Sequence, residues 1–313
     1  MIFRISDGRL GNQLFQFAFL ATQAGKNEKI IAWGFEYLLS LFNIKDVRFI
    51  FVNEEKILSY ILKYFPSTFS QKLRKLLTPR IRWEIRYGFL RRIFEVLAKL
   101  KVISYISQKT QKLCNNTYTE VPEVVLSKGF ISSIRYVGRY FFCSEKLFRE
   151  DVLKNLEFKE KYVKEAEKFI SKYQNFYKVA VHIRLGDFKE FYICGENPIL
   201  PFDYFHRQIS WFLENRENPF FIFLSDEPDK IKNEFSYLGD KMVISENPWY
   251  IDFLIITMCD AAIIGPSSFS WWACYFMKKR DVVFAPKYWL GFKIKKEFPQ
   301  GIFPSFATPC EVD

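Results

Sequence analysis

A short hydrophobic strand that runs directly into a group of functional side chains is the feature that most restricts the fold of this sequence. Residues 179–187 read V-A-V-H-I-R-L-G-D. Because strand side chains alternate between two faces, His182 and Arg184 point from one face at the end of the strand, where open α/β sheets bind ligands. Gly186 and Asp187 follow directly, and a guanidinium beside an imidazole suits a phosphorylated ligand. The same residues also fit an edge strand that ends in a solvated turn with an ordinary Arg–Asp pair.

Strands and helices alternate through the rest of the second half, as a parallel sheet requires. A strand over residues 220–224 ends in Ser225 and Asp226 at the same predicted edge. The acidic run D-E-P-D that begins there is interpreted as solvated carboxylates at a helix start rather than as a metal site. A strand over residues 261–264 ends in G-P-S-S-F-S-W-W. The helix that starts there offers free N–H groups and hydroxyls to an anion, and the hydroxyls belong to Ser267, Ser268 and Ser270. Simple helix capping would explain one of these serines but not all three.

The first half begins with a strand, a turn with two glycines and a helix. After the strand over residues 2–6 the sequence reads S-D-G-R-L-G-N-Q. Such a turn exposes N–H groups at a positive helix end, where a phosphate or sugar oxygen binds. The turn is neither a Walker loop nor a G-x-G-x-x-G motif, so alone it is weak evidence. A length of 313 residues suits two α/β domains, with the charged helical stretch 159–173 as the passage between them.

The positive charge is concentrated in one segment. Residues 71–112 carry 12 Lys and Arg against two Glu, which is +10 of the net +11. Thr78 and Pro79 predict the start of an amphipathic helix with a basic face, and such a helix can lie on an anionic membrane. The candidate membrane contacts are Arg82, Arg86, Arg91 and Arg92. Two alternatives stay open: packing on its own domain with a solvated basic face, and nucleic-acid binding, for which no known module accompanies the charge.

Cysteine and histidine usage gives no sign of a metal. The six cysteines have no C-x-x-C spacing, and the chain has only two histidines. We expect the cysteines to be reduced and the protein to be cytoplasmic, since disulfides are rare in the cytosol. The N-terminus lacks the pattern of a secretion signal, and no run of about 18 uncharged apolar residues occurs. Any membrane contact is therefore expected to be peripheral, on the inner face of the cytoplasmic membrane.

Several blocks, taken in order along the chain, resemble the bacterial α-1,2-fucosyltransferases of glycosyltransferase family 11. The strong blocks are G-R-L-G-N-Q-L-F-Q-F-A (residues 8–18), V-H-I-R-L-G-D-F (181–188), F-L-S-D-E (223–227) and S-S-F-S-W-W (267–272). Weaker ones are S-E-K-L-F (144–148) and A-P-K-Y-W (285–289). One block alone is weak evidence, whereas the ordered set spans nearly the whole chain.

The resemblance implies an α/β fold of the GT-B kind, in which two Rossmann-like domains face each other across a cleft. The expected N-terminal, acceptor-side domain covers residues 1–158, with a basic helical insertion at about 54–113. The GDP-sugar-binding domain covers 174–290, and the tail, 291–313, is expected to cross back to the first domain. The implied reaction is inverting transfer of L-fucose from GDP-β-L-fucose to a sugar hydroxyl, without a required metal or other cofactor.

The resemblance also implies roles for individual residues. Arg184 would pair with the donor diphosphate, and His182 and Asp226 would lie near the nucleoside, with Ser225 beside them. Asn12 would close over the reacting centre from the facing domain. The remaining donor contacts would be Gly11, Ser267, Ser268, Phe269 and Ser270.

This chain departs from the family pattern at three positions. Leu185 replaces the second arginine of H-x-R-R-G-D, and strand alternation points it away from Arg184. Pro266 stands where the family has asparagine, and Cys143 where glutamine is common. The departures bear on the linkage and the acceptor more than on the donor.

The expected mechanism is direct displacement at the anomeric carbon, with positive charge stabilising the leaving diphosphate. A general base assists the acceptor hydroxyl; Asp187 is the first candidate, and Glu190 and Asp7 are alternatives. Rival interpretations are another linkage, another GDP-sugar donor, or a catalytically silent protein that binds a sugar nucleotide or a membrane. The acceptor is expected to be an oligosaccharide or a lipid-linked glycan of the O-antigen or capsule type.

Overall fold

The structure of the protein is a computed structural model. It describes residues 1–52 and 79–312, and for residues 79–87, Phe89 and Asp187 it describes the backbone alone. Two six-stranded sheets organise the described residues. Helices pack on both sheets, so the predicted α/β class with two Rossmann-like units is confirmed.

The first sheet is formed by the N-terminal half. Its elements are β1 (Ile2–Ile5), α1 (Leu10–Gln23), β2 (Ile30–Trp33), α2 (Glu36–Leu41), β3 (Phe42–Ile44), β4 (Phe49–Val52), α3 (Pro79–Lys99), β5 (Ile103–Cys114), β6 (Thr117–Ser127) and β7 (Ile131–Val137). The strand order is β4-β2-β1-β7-β5-β6, and β1 runs parallel to β2 and β7. β5 and β6 form an antiparallel hairpin at one edge. β3 pairs outside this sheet with β8 (Leu156–Phe158).

The second sheet is parallel. Its elements are α4 (Glu160–Ile170), β9 (Tyr177–Ile183), α5 (Phe202–Asn215), β10 (Pro219–Ser225), α6 (Pro228–Glu234), β11 (Met242–Ile244), α7 (Trp249–Met258), β12 (Ala261–Ile264), α8 (Ser268–Tyr275), β13 (Val283–Pro286) and β14 (Thr308–Cys310). The order is β11-β10-β9-β12-β13-β14. β9 lies between β10 and β12, with Leu224 and Ile264 both in register with His182. The apolar runs of these strands reflect burial on both faces.

Helices α1 and α8 join the two domains in one aromatic core. The ring of Phe15 in α1 lies 4.7 Å from Trp271 and 4.9 Å from Trp272 in α8, between centroids. All three rings are fully buried, and the indole N–H of Trp271 donates to the carbonyl of Ile302 at 2.8 Å. Buried aromatic pairs add about 0.5–1.5 kcal/mol beyond the area that they bury. The N-terminal ends of α1 and α8 are therefore held against each other.

The predicted helical insertion differs from what the structure shows. Residues 54–78 of that prediction lie outside the described residues, and α3 forms where Pro79 predicts a helix start. Residues 103–114, however, form the strand β5 rather than a helix. The reason lies in the sequence I-S-Y-I-S-Q-K-T, half of which is β-branched or aromatic residues that favour strands, and which has few strong helix formers. The lysines of this stretch belong to an exposed hairpin.

The prediction that Arg91 contacts a membrane is also corrected. Its side chain is 6% exposed, and its Nη2 donates to Oδ1 of Asp7 at 2.7 Å. A second buried arginine, Arg4, lies 3.9 Å from the same carboxylate. Arg91 therefore ties α3 to the first sheet, whereas the adjacent Arg92 is exposed. The side chains of Arg82 and Arg86 lie outside the described part of the chain.

A disulfide joins the two domains. Cys114 at the end of β5 is bonded to Cys194 in the loop after β9, with a Cα–Cα distance of 6.0 Å. The expectation that every cysteine is reduced is therefore wrong for this pair, which has a sequence separation of 80 residues and no recognisable motif. The four other cysteines are free. In the part of the chain that the structure covers, no helix is long and apolar enough to span a bilayer.

The tail contacts the first domain and then returns to the second. The amide of Gln300 donates to Oγ1 of Thr119 at 3.2 Å and to the carbonyl of Glu120 at 3.1 Å. β14 then pairs with β13 in the second sheet. The tail thereby holds the β5–β6 hairpin of the first domain close to the second domain.

Candidate active site

Three neighbouring strand ends bring most of the predicted site residues together. β9, β10 and β12 are adjacent and parallel, so their carboxyl ends meet at one edge. His182 and Arg184 come from β9 and the turn after it, Ser225 and Asp226 from the end of β10, and Ser267 to Phe269 from the segment after β12. Fifty or more residues of sequence separate some of these groups, and the sheet topology brings them to one edge.

A cavity of about 260 Å³ opens at this edge, and we call it the strand-end cavity. It is lined by Arg9, His182, Ile183, Arg184, Leu224, Ser225, Asp226, Asn247, Trp249, Asp252 and Phe269. The lining combines aromatic rings with cations and carboxylates. That mixture suits a ligand with a flat ring and charged groups.

His182 faces the strand-end cavity as a neutral imidazole. Its ring stacks on Phe269 at 5.4 Å between centroids, with 27° between the planes. Burial, together with the charge of Arg184, lowers the pKa of His182 to about 3, so the ring carries no charge at neutral pH. Its Nδ1 is buried and makes no hydrogen bond within the described part of the protein.

Asp226 holds the turn that carries Arg184. Its two carboxylate oxygens accept from the amides of Leu185 at 2.9 Å and Gly186 at 3.0 Å. A Cβ at Gly186 would lie 2.9 Å from Asp226 Oδ2, so a side chain there would disturb this contact. Leu185 is buried in the core of the second domain and points away from the site, as strand alternation predicts. Asp226 lines the cavity, but its hydrogen bonds serve to fix the turn.

Asp252 is a site residue that the sequence analysis missed. It lies in α7, lines the strand-end cavity, and accepts a hydrogen bond from the hydroxyl of Ser245. Burial raises the pKa of Asp252 to about 7, against the lowering effect of that hydrogen bond. The signal was a single acid within the otherwise uncharged run W-Y-I-D-F-L-I-I-T-M. A buried acid of this kind marks a functional candidate.

A second cavity of about 430 Å³ lies between the domains, and we call it the interdomain cavity. Arg184 lines both cavities and therefore stands between them. The other lining residues are Asn12, Glu120, Phe141, Cys143, Phe188, Phe191, Pro266, Ser267, Ser268, Trp289, Leu290, Phe298, Pro299 and Ile302. The guanidinium of Arg184 lies over the ring of Phe188, 5.6 Å from its centroid.

The positive ends of α1 and α8 meet beside this cavity. The hydroxyl of Ser268 donates to Oδ1 of Asn12 at 2.9 Å. A Cβ at Gly11 would lie 2.4 Å from the carbonyl carbon of Ser268, so glycine is what permits this approach. Two helix N-termini that converge with Arg184 create a strongly positive region, which favours a phosphate.

The predicted serines divide into two groups. Ser267 caps α8 by accepting from the amide of Phe269 at 3.3 Å, and it still lines the interdomain cavity together with Ser268. Ser270 is fully buried and donates to the carbonyl of Ser267 at 3.2 Å. The structure therefore does not bring Ser270 into either cavity, and its hydroxyl stabilises the helix start instead.

The predicted bases have different surroundings. The backbone of Asp187 begins a short 3-10 helix, Asp187–Glu190, directly after the Arg184 turn, while its side chain lies outside the described part. Glu190 is exposed, and Asp7 is engaged by Arg91. Over the described ranges, no three His, Cys, Asp or Glu side chains cluster as a metal site requires.

Comparisons with known proteins agree with this architecture. The sequence model of glycosyl transferase family 11 matches residues 103–303. The O-antigen biosynthesis glycosyltransferase WbnK of Escherichia coli is 25% identical over 127 residues, which cover 38% of this chain and only 41% of WbnK. The crystal structure of POFUT1 in complex with GDP superposes with a TM-score of 0.51 at 14% identity, covering 91% of this chain and 97% of POFUT1. The fucosyltransferase NodZ from Bradyrhizobium gives a TM-score of 0.48 at 10% identity, covering 89% and 93%. The superposition on POFUT1 confirms the predicted GT-B-like fold class.

Proposed function

The chain belongs to glycosyl transferase family 11, and from that premise we propose that it is an inverting fucosyltransferase that uses GDP-β-L-fucose. The observation that carries the proposal is the position of Arg184 between the strand-end cavity and the interdomain cavity. A sugar nucleotide has the same order of parts, with a nucleoside and a sugar on either side of a diphosphate. In the proposed complex the diphosphate lies at Arg184.

The nucleoside would occupy the strand-end cavity. Guanine presents two adjacent N–H donors on one edge, and the carboxylate of Asp252 can accept both. The His182–Phe269 pair offers an aromatic face beside it. POFUT1, whose fold this chain shares, is described in complex with GDP. Asp226 would act through the turn that it holds, as a positioning residue for Arg184.

The diphosphate would be neutralised by protein groups alone, so we propose that no metal or other cofactor is required. Arg184 can fork onto phosphate oxygens, and the ends of α1 and α8 add partial positive charge. As the bond from the anomeric carbon to the β-phosphate oxygen breaks, the electron pair leaves with GDP. Arg184 and Ser268 would stabilise that growing charge, and such preorganised charge is usually the largest catalytic term.

We propose a galactoside in a surface glycan as the acceptor and α-1,2 as the linkage. The residue blocks shared with bacterial α-1,2-fucosyltransferases support the linkage, and the O-antigen biosynthesis name of WbnK supports the type of glycan. Leu185, Pro266 and Cys143 depart from that pattern. Both Pro266 and Cys143 line the interdomain cavity, where they would shape acceptor choice.

The direct test is a GDP-release assay with GDP-fucose across galactosides, followed by linkage analysis of the product. We expect acceptor-dependent GDP release and an α-linked fucose. Thermal-shift measurements with GDP-fucose, GDP-mannose and UDP-sugars identify the donor. Stronger stabilisation by GDP-mannose would reassign the donor, and ligand binding without GDP release for any acceptor would favour a catalytically silent binding protein.

We also propose that the protein contacts an anionic membrane peripherally. The proposed contact surface does not include Arg91, which is buried. Leu100 is 70% and Phe130 is 94% exposed, and the amide of Phe130 donates to the carbonyl of Lys101 at 2.7 Å, so the two turns are adjacent. Lys99, Lys101 and Lys128 are exposed around them. Flotation with anionic vesicles should recover the protein, and Phe130→Ser should weaken recovery. Equal recovery with neutral phosphatidylcholine vesicles would contradict the idea.

A further inference from the structure

Glu120 occupies a distinctive place in the interdomain cavity. Of the described residues that line this cavity, Glu120 is the only one with a carboxylate. It lies on β6 in the first domain, across the cavity from residues of the second domain such as Arg184 and Ser267. Its polypeptide backbone is fixed, because the amide of Gln300 donates to the Glu120 carbonyl at 3.1 Å.

Three other carboxylates among the described residues are engaged by other groups. Asp226 accepts from two backbone amides, and Asp7 pairs with Arg91. Glu297 accepts from the amides of Gly301 at 2.9 Å and Phe303 at 2.7 Å. Glu120, in contrast, has its side chain in the wall of a cavity that also contains Arg184 and Ser268.

The walls of the interdomain cavity are suited to a sugar ring. Five aromatic side chains contribute to the lining: Phe141, Phe188, Phe191, Trp289 and Phe298. The C–H faces of a pyranose pack on aromatic rings, while its hydroxyls need a small number of polar partners. The volume of about 430 Å³ lies within the usual range for small-ligand pockets, which is roughly 300–1,000 Å³.

We infer that the interdomain cavity binds the acceptor as a pyranose ring beside the fucose of the donor, and that Glu120 is the general base which activates the acceptor hydroxyl. This inference rests on the proposed fucosyltransferase function and adds the acceptor site and the base to it. The acceptor O–H proton passes to the Glu120 carboxylate while the acceptor oxygen forms a bond to the anomeric carbon. The bond from that carbon to the β-phosphate oxygen breaks, and its electron pair leaves with GDP.

The electrostatic surroundings of Glu120 agree with a base. Burial raises the pKa of the Glu120 carboxyl, against the lowering effect of its own backbone N–H, so its proton affinity exceeds that of an exposed glutamate. Cys143 and Tyr140 face the carboxylate, and burial raises the pKa of both, so each stays neutral at pH 7. Among the described residues that line the cavity, Arg184 is the cation, and β5 presents the uncharged Thr110 opposite Glu120.

The test compares Glu120→Gln with a matched control on the same strand. Glu123 is an exposed glutamate that pairs with Lys109, so Glu123→Gln makes the same chemical change outside the cavity. We expect Glu120→Gln to keep its affinity for GDP while kcat falls by roughly 10²- to 10⁴-fold, the usual contribution of a general base. The acid limb of the pH–kcat/KM profile should disappear in Glu120→Gln, and Glu123→Gln should behave as the wild type.

Two further variants separate a chemical from a structural role. Glu120→Ala should regain turnover with added formate, because a small carboxylate can replace the missing base. Phe191→Ala, at the partly exposed rim of the cavity, should raise the KM of the acceptor without changing that of GDP-fucose.

Normal turnover of Glu120→Gln would overturn the inference and leave the transferase intact. A wild-type protein that transfers nothing from GDP-fucose would overturn the proposed function itself. A Glu120→Gln variant that loses GDP affinity, with no rescue of Glu120→Ala by formate, would identify a structural role and contradict the assignment.

Discussion

The hydroxyl of Ser268 donates a hydrogen bond of 2.9 Å to Oδ1 of Asn12, so residues 256 positions apart in the sequence touch across the two domains. Each lies in the first turn of its helix, α8 for Ser268 and α1 for Asn12. The contact brings two positive helix ends to the proposed position of the donor diphosphate. Both domains are therefore needed to build the site.

Gly11→Ala tests this contact. A Cβ at Gly11 would lie 2.4 Å from the Ser268 carbonyl carbon, which is backbone and cannot turn aside. We expect a loss of about 1–3 kcal/mol in the free energy of unfolding, typical of overpacking, and a fall in turnover. Gly25→Ala is the control, since its nearest neighbour lies at 3.9 Å. Denaturant unfolding of both variants provides the measurement, and equal stability would show that the helix ends are not in contact.

Arg91 and Arg92 form a natural matched pair. Arg91→Ala leaves Asp7 buried without its closest cation and should cost about 3 kcal/mol of stability, in the range for breaking a buried ion pair. Arg92→Ala removes an exposed side chain and should change stability by less than about 0.5 kcal/mol. Thermal and urea unfolding compare the two. If both variants were equally stable, α3 would not be anchored through Asp7.

The raised pKa of Asp252 leads to a prediction about how GDP affinity depends on pH. Its pKa is raised to about 7, so the carboxylate is largely protonated at pH 6 and charged at pH 8. The charged form is the acceptor that guanine needs, and we therefore expect GDP affinity to rise through this range. Asp252→Asn should bind GDP more weakly and lose the pH dependence.

UDP controls for titration of the diphosphate, because it has the same charge without the guanine edge. Calorimetry from pH 6 to 8 makes the comparison. The folding stability of the free protein should change with pH in the opposite direction to GDP affinity. A carboxyl whose folded pKa is raised contributes stability below its unfolded pKa of about 4, and this contribution is lost as the pH rises through about 7. GDP affinity that does not change with pH in the wild type would argue against the guanine contact.

The parts of the site that sequence reasoning could predict are those fixed by strand periodicity. His182 lies near the end of a period-two strand, Arg184 follows it, and Asp226 follows the neighbouring strand, so parallel pairing brings them to one edge. Leu185 points inward for the same reason. These features depend on local backbone geometry, which a single sequence carries.

The parts of the site that sequence reasoning could not predict depend on contacts with residues that are distant in the sequence. Glu120 lies on a hairpin strand whose backbone is held by a hydrogen bond from Gln300 in the distant tail. Arg91 looks like its exposed neighbour until Asp7 is brought to it. The Cys114–Cys194 pair likewise depends on tertiary contacts, because its separation of 80 residues carries no recognisable motif.

The central proposal is that Arg184 binds the diphosphate of the donor between the two cavities. Calorimetric titration of GDP-fucose into the wild type, Arg184→Ala and Arg149→Ala tests it most directly, with Arg149 as an exposed arginine elsewhere on the surface. Loss of hydrogen bonds to a charged group is worth about 1.5–3 kcal/mol, so we predict that Arg184→Ala binds roughly 10- to 150-fold more weakly. Arg149→Ala should bind as the wild type does. If Arg184→Ala bound GDP-fucose within twofold of the wild type, the account would be contradicted.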